Sequence, residues 1–411
     1  MARVENALAE ILGACDMKKI LIAGGGYADI PLIEAAKKLE LYVITSGNRP
    51  DELGHRHSHE YRACDFSDKE AITRLAEELK VDVVCPCCND FSALSCAWAA
   101  ERLGLPGIDP YESLLTIMHK DRFHAFAREH GLPVADAHLF TSASEALSIA
   151  DSIKYPAILK PVDMTGGKGI SKVSSASELR DAVAFANRAS RTPRFLVEEF
   201  LKPDSYYHNY VGFIGKDEVS WGWSDNEHYY TNPYLVWGMS TPSTEGDAIH
   251  EEIRAVLNKI AKLLNLKPGL IMTQHCVVNG RIKLIEMGRR MPGNLHGRML
   301  ELATGFPLSE WTIRAALGED CSAVSQMSGR GFWAEHCIMA PRNGRVAEIR
   351  YIDGIDKAVR EKIMLGGPGT EISNYKVDKL GILLMEFSGM EEMLEKSDNM
   401  HKYVQVIMEE N

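Results

Sequence analysis

The sequence predicts a mixed fold, part α/β and part α+β, and three observations lead there. Up to about Pro110, short apolar runs alternate with stretches of helical period, as in a parallel sheet with covering helices. The middle of the chain holds aromatic, alternating runs and an Asn279-Gly280 turn signal, which call for antiparallel pairing. The tail, Phe332 to Met408, mixes short strands with two helices and is punctuated by Gly366-Gly367-Pro368-Gly369.

Taken in order, Lys18 to Ala23 reads as a short buried strand ending in Gly24-Gly25-Gly26, and Ile30 to Leu39 has helical spacing. Leu41 to Thr45 is a second apolar run. Ser67 to Lys80 reads as a helix, with Ser67 as N-cap and Glu70 three residues on, a capping-box spacing. Val81 to Cys85 and Phe91 to Leu103 complete the alternation. Beyond it one helix is expected from about Leu114 to His130, a strand over Pro156 to Pro161, a helix over Glu178 to Asn187 and a strand over Phe195 to Phe200. Tyr206 to Trp223 reads as antiparallel pairs. The helix Ala248 to Leu264 precedes a hairpin, Leu270–Val278 and Arg281–Met287, turned at Asn279-Gly280. Helices over Leu295–Thr304 and Ser309–Leu317 follow.

A chain of 411 residues suffices for two to four modules at roughly 100–200 residues each. Its formal charge of −11 argues against a broad nucleic-acid footprint, which needs a clustered basic face. No stretch approaches the roughly 20 apolar residues that cross a bilayer. Met1 to Lys19 reads as an amphipathic helix and lacks the basic start and apolar core of a secretory signal. The nine cysteines are odd in number and scattered, which suits reduced thiols, so a cytoplasmic location is expected.

Gly24-Gly25-Gly26 leaves two readings open, a tight turn or a backbone approach to an anion. Asp29 stands where the dinucleotide fingerprint has its third glycine, which speaks against a nicotinamide role. Lys160-Pro161-Val162-Asp163-Met164-Thr165-Gly166-Gly167-Lys168-Gly169 says more: a buried-type strand delivers a lysine, and a glycine-rich loop with a second lysine follows. Such a loop closes on phosphates without side-chain clashes, and its ammonium groups offset their charge. Leu196 to Leu201 is a strand whose end offers backbone groups to an adenine edge. Glu286 ends a hairpin strand, with Arg289 and Arg290 just behind it, the carboxylate and guanidinium that phosphoryl transfer uses. Cys85-Pro86-Cys87-Cys88 lacks the paired spacing of a zinc site, and His55 to His59 reads as a solvated polar loop. The aromatic residues from Tyr206 to Trp237 read mostly as sheet core, with Tyr229 to Trp237 as candidates to wall a pocket.

In this order the pieces resemble the ATP-grasp superfamily over nearly the whole chain. Within it they resemble carboxylate–amine ligases of the amino-acid and dipeptide type, with a carbamoyl-phosphate-synthase-like grasp. The resemblance implies an N-terminal helix (1–17), a Rossmann-like pre-grasp domain (18–110), a two-part ATP-binding grasp (111–326) and a small C-terminal α+β domain (327–411). It implies that Lys120 and Lys160 hold phosphates, that Thr165, Gly166, Gly167 and Lys168 belong to the mobile loop, and that Glu198, Glu199, Phe200 and Leu201 form the adenine hinge. Asp204 is then the ribose acid, Glu286 a metal carboxylate, and Arg290 the arginine of phosphoryl transfer, with Lys160 beside it as a second catalytic group. Two positions depart from the family pattern. Gly288 stands where an asparagine is common, and Gln274, beside His275, stands where a second metal glutamate is expected.

The implied cofactors are ATP and Mg²⁺, or Mn²⁺ in its place. The implied reaction joins a small-molecule carboxylate to an amine through an acyl phosphate, with an amino acid as one partner. Activation of bicarbonate by the same machinery, and a nucleotide-binding module without turnover, are the alternatives. A homodimer is expected, with no nucleic-acid or membrane partner.

Overall fold

The computed structural model describes residues 17–164, 166–230 and 232–410. The expected N-terminal helix and Thr165 of the loop therefore fall outside the described residues. Strands β1 (Lys19–Ala23), β2 (Tyr42–Gly47), β3 (Glu60–Ala63) and β4 (Val83–Pro86) form a parallel sheet in the order β3-β2-β1-β4. Helices α1 (Ile30–Lys38), α2 (Lys69–Leu79) and α3 (Asp90–Leu103) alternate with them, as the sequence predicts. Ile20, Leu21 and Ile22 are fully buried, as strands covered on both faces must be.

Two local readings change. The N-cap of α2 is Asp68, which accepts from the backbone N–H of Glu70 and Ala71, so Ser67 lies one residue outside. His55 is buried, not solvated: its Nδ1 lies 2.9 Å from Thr45 Oγ1 and its ring fills the space a side chain at Gly25 would need. Cys87 occupies the corresponding space at Gly24. The glycine turn is thus packed by the protein's own side chains, which favours the tight-turn reading.

The helix expected from Leu114 to His130 is two helices, α4 (Tyr111–Met118) and α5 (Lys120–Glu129), broken at His119. His119 has extended backbone, and the N–H of Lys120 donates to the carbonyl of Val162, just past the strand that ends at Pro161. The break turns the first residue of α5 toward the site. There follow β5 (Ala137–Phe140), α6 (Ala143–Ser148), β6 (Ala157–Pro161), β7 (Ser171–Val173), α7 (Ala176–Ala189) and β8 (Phe195–Glu199). Their strands make a four-stranded antiparallel sheet, β5-β8-β6-β7, with its own apolar core around Leu159, Leu179, Val183 and Phe195.

The largest sheet has eight strands. Its first part is β9 (Tyr207–Ile214), β10 (Val219–His228), β11 (Gly238–Thr241), β12 (Gly269–Val278) and β13 (Arg281–Gly288), with α8 (Asp247–Leu263) preceding β12. Asn279 and Gly280 both have positive φ, 52° and 72°, as the tight β12–β13 hairpin predicted from the Asn-Gly pair requires. Helices α9 (His296–Thr304) and α10 (Leu308–Ala316) come next. The chain then re-enters the same sheet through β14 (Phe332–Met339). Strands β15 (Gly344–Tyr351), β16 (Val359–Met364), β17 (Glu371–Ile372) and β18 (Lys379–Phe387) follow, then α11 (Met390–Asp398), α12 (Met400–Tyr403) and β19 (Val404–Met408). The order β13-β12-β9-β10-β11-β14-β18-β16 runs across the boundary expected near residue 327, and only β17-β15-β19 forms a separate small sheet. Residues from the far end of the chain can therefore reach the centre.

Candidate active site

The break at His119 and the exit of β6 bring two lysines together at one mouth. Lys120 Nζ donates to the carbonyl of Met164 at 2.7 Å and lies 3.4 Å from Glu286 Oε2. Lys160 Nζ lies 2.8 Å from Glu198 Oε2, and His124 Nε2 lies 3.1 Å from the other oxygen of that carboxylate. Burial by itself would raise the pKa of Glu198, but Lys160 and then His124 overcome it and hold the group down at about 2. Glu198 is thus an ionised anchor that fixes Lys160.

Both lysines line a cavity of about 530 Å³ between the four-stranded and eight-stranded sheets. Gly166 and Gly167 close it on one side, and Glu198, Glu199, Phe200 and Leu201 edge it. Apolar walls come from Ala135, Ile158, Ile170, Leu284 and Ile285. Opposite the glycine loop lies Pro233–Val236. A side chain at Gly167 (φ 73°) would strike the carbonyl oxygen of Tyr234 at 2.2 Å, so only glycine permits the two loops to touch. The Tyr234 hydroxyl accepts from the backbone N–H of Lys172 at 2.8 Å, which ties the loops again.

A second cavity of about 150 Å³ continues from the first, sharing Lys120, Gln274, Glu286 and Asn294 with it. Here β12 and β13 place Gln274 directly opposite Glu286, and a register shift follows, His275 pairing with Leu284. The bulge leaves Ile285 without an opposite residue, and both Ile285 and Glu286 face the cavities. Arg290 enters from the loop after β13, held by Asp90 at 2.8 Å and by the carbonyl of Met291. Burial works against its charge, but Asp90 more than offsets that, so it stays cationic. Its neighbour Arg289 is bound to both oxygens of Asp109 and to carbonyls of Lys267, Gly269 and Leu270, a buried brace away from the cavity.

Most residues named from the sequence therefore converge: Lys120, Lys160, Gly166, Gly167, Glu198 to Leu201, Gln274, Glu286 and Arg290. Two do not. Asp204 accepts from the N–H groups of Asn279 and Gly280 at 3.0 and 2.9 Å, capping the β12–β13 hairpin, and it does not line the cavity. The exposed Lys168 does not line it either. At Gly288 the place of an asparagine side chain is taken by Met272, which stands opposite on β12. Cys85, Cys87 and Cys88 have their thiol pKa values pushed up by burial, and among the described residues no group of three or more His, Cys, Asp or Glu side chains is arranged to hold a metal ion.

The sequence reading missed three participants, Glu227, Asn294 and Lys379, and had placed a fourth, Tyr229, among the candidates to wall a pocket. Glu227 and Tyr229 come from the end of β10, and Gln274 Nε2 donates to both, at 2.6 and 3.0 Å. Asn294, with Leu295 beside it, has positive φ (57° and 64°), a conformation uncommon for such residues and concentrated at functional loops. Lys379, from β18, hydrogen-bonds Asn294 and lines the larger cavity. Only Tyr229 carried a signal, as part of the aromatic stretch expected to wall a pocket.

Residues 119–208 match the family described as carbamoyl-phosphate synthase L chain, ATP binding domain. An uncharacterised protein y4rH of Sinorhizobium fredii is 26% identical over 356 residues, 83% of this chain and 72% of that one. The formate-dependent phosphoribosylglycinamide formyltransferase of Prochlorococcus marinus is 28% identical over 192 residues, 46% of this chain. This chain spans about half the length of that enzyme (48%). Among solved structures, the L-amino acid ligase of Bacillus licheniformis superposes with a TM-score of 0.79 over 96% of this chain and 99% of its own, at 17% identity. Likeness at that identity speaks to fold. No helix among the described residues is long and apolar enough to cross a membrane. With the paired lysines, glycine loop and hinge segment held between two sheets, the segment that supplies them is similar to the ATP binding domain of the carbamoyl-phosphate synthase L chain, and the fold as a whole is similar to that of ATP-grasp ligases.

Proposed function

We propose that the chain is an ATP-dependent carboxylate–amine ligase that works through an acyl phosphate, with an amino acid as one substrate. The observation that carries this is the continuity of the two cavities, with Lys120 and Glu286 at their junction and Arg290 in the smaller one. On this reading the adenine lies against Ile158, Leu284 and the backbone of Glu199–Leu201, and Lys120 and Lys160 bind phosphate oxygens. Arg290 orients the carboxylate and opposes the charge that develops as it takes up the γ-phosphoryl group. The glycine loop and Pro233–Val236 exclude water, which would hydrolyse an acyl phosphate before the amine attacked it. ADP is the leaving group of the phosphoryl transfer; the amine then attacks the acyl carbon, the C–O bond to phosphate breaks and the nitrogen loses a proton, giving the amide and phosphate.

The oxygen-rich donor set of Glu286, Gln274 and Glu227 suits Mg²⁺, a hard cation. When bound there, Mg²⁺ supplies positive charge to the phosphates. The L-amino acid ligase likeness supports an amino-acid substrate. The relative named for formate supports a second reading, in which a one-carbon acid such as formate or bicarbonate is activated instead.

The test is phosphate release from ATP and Mg²⁺ in separate arms with pooled amino acids, bicarbonate or formate. Release that requires amino acids, with a condensed mass in the products, is the expected result. Release only with bicarbonate or formate would replace it by the second reading, and no release in any arm despite ATP binding would overturn both.

A further inference from the structure

Resting on that nucleotide-site reading, we infer that Glu227 supplies the second metal-binding carboxylate of this chain, in place of the glutamate that Gln274 replaces. Three observations place it there. Gln274 stands directly across the strand pair from Glu286, and its amide Nε2 donates to Glu227 Oε2 at 2.6 Å. The carboxylate of Glu227 thus lies one hydrogen bond beyond the position where the anionic group is missing. Second, both hydrogen bonds that Glu227 accepts, from Gln274 and from the Tyr229 hydroxyl at 2.5 Å, end on Oε2. Its Oε1 has no hydrogen-bond partner among the described residues, although the residue is only 4% exposed and lines the smaller cavity together with Glu286.

Third, the charges do not balance without a cation. Of the carboxylates lining that cavity, Asp90 is paired with Arg290 and Glu286 with Lys120. Glu227 has no cationic partner among the described residues. A buried carboxylate without a counter-charge is costly, and a hard cation between Glu227 and Glu286 would remove that cost. Gln274 then has two tasks, orienting Glu227 through Nε2 and leaving its own carbonyl oxygen as a neutral donor.

The experiment is Mn²⁺ binding to the full chain in the presence of saturating ADP, followed by electron paramagnetic resonance, for wild type, Glu227→Gln and Glu286→Gln. Glu227→Gln keeps the shape of the side chain and removes its charge. Both variants are expected to lose Mn²⁺ affinity by about tenfold or more, with metal-free ADP binding unchanged in Glu227→Gln. A second variant covers the case in which Glu227→Gln fails to fold. Gln274→Glu adds a third carboxylate, so it should lower the melting temperature of the metal-free protein and regain it when Mn²⁺ and ADP are added. Wild-type Mn²⁺ affinity in Glu227→Gln, with loss in Glu286→Gln, overturns the inference and leaves the nucleotide site standing. Unchanged affinity in both overturns the inference and the nucleotide-site reading together. A Gln274→Glu protein whose stability Mn²⁺ does not restore also overturns it.

Discussion

The two faces of the eight-stranded sheet are both polar at its centre, yet they do opposite things. Along β9, β10 and β12 successive side chains alternate, so Asn209, Glu227 and Gln274 face the cavities while His208, Asn226 and His275 face away. On the cavity face polar groups border open space: Glu227 Oε1 has no hydrogen-bond partner among the described residues, and Lys120, Glu286 and Arg290 line the cavities. On the other face they are enclosed around Glu245, away from any opening, although both ring nitrogens of His208 and Nδ1 of His275 have no hydrogen-bond partner among the described residues. His275 Nε2 lies 2.9 and 3.0 Å from the two oxygens of Glu245, Ser224 donates to the same carboxylate at 2.7 Å, and His208 stacks on His275 with ring centroids 5.5 Å apart. Asn226 in turn binds Ser240 and Thr244. Residue type does not separate a site from a brace. Whether the polar atoms border open space does.

Variants on the two faces should therefore fail differently. The largest effect is expected for Lys160→Ala, which removes a phosphate ligand on the proposed reading and leaves Glu198 buried with only His124 beside it. It should weaken ATP binding and cost about 3–5 kcal/mol of stability, read by nucleotide titration and urea unfolding. Unchanged ATP affinity would remove Lys160 from the site. Arg290→Ala comes next, with turnover cut about 100-fold or more and ATP affinity little changed. Single-turnover kinetics would separate the two, and a loss confined to binding would contradict its role.

On the closed face, Glu245→Gln should cost about 1–3 kcal/mol and leave ATP affinity alone. Altered nucleotide binding in that variant would show that the faces are coupled. The same cluster sets an acid limit. Burial lowers the pKa of His208 to about 4, against the opposing pull of Glu245 and with a smaller lowering from His275. Its folded pKa is thus below the unfolded value of 6.5. The stability it contributes is full above 6.5 and is lost as pH falls from there toward 4, because the unfolded chain takes up the proton first. Melting temperature against pH should be flatter over that window in His208→Gln than in wild type, and parallel curves would argue against it. The smallest effect is expected for Asp204→Asn: about 1 kcal/mol or less from the weakened hairpin cap, with ATP affinity unchanged. A clear loss of ATP affinity would return Asp204 to the ribose role.

Several site residues were legible because their signals are local. Lys160 and the glycines after it sit in one strand–loop unit, and Glu286 and Arg290 lie four residues apart at a hairpin end. Others were not. Asp204 lies shortly after the hinge segment, where a ribose acid is expected, yet it caps a hairpin some 75 residues on, a contact no local pattern records. Lys120 was identified, but within a helix expected to be continuous. The break at His119, held by the Lys120 N–H on Val162, is what aims it.

By itself the sequence determined the alternation of the first sheet, the antiparallel core, the Asn279-Gly280 turn and the glycine turn after Pro161. These follow from side-chain period and from the φ values that glycine and asparagine tolerate, and both act over a few residues. Only the tertiary structure decided that Lys379 reaches the larger cavity and Glu227 the smaller one, with Asn294 lining both, and that Glu227 opens onto its cavity while His275 is sealed behind. Such meetings depend on strand order and on a single bulge between Gln274 and His275. The sheet joins residues more than a hundred positions apart, and one step of register moves a side chain from the open face to the closed one.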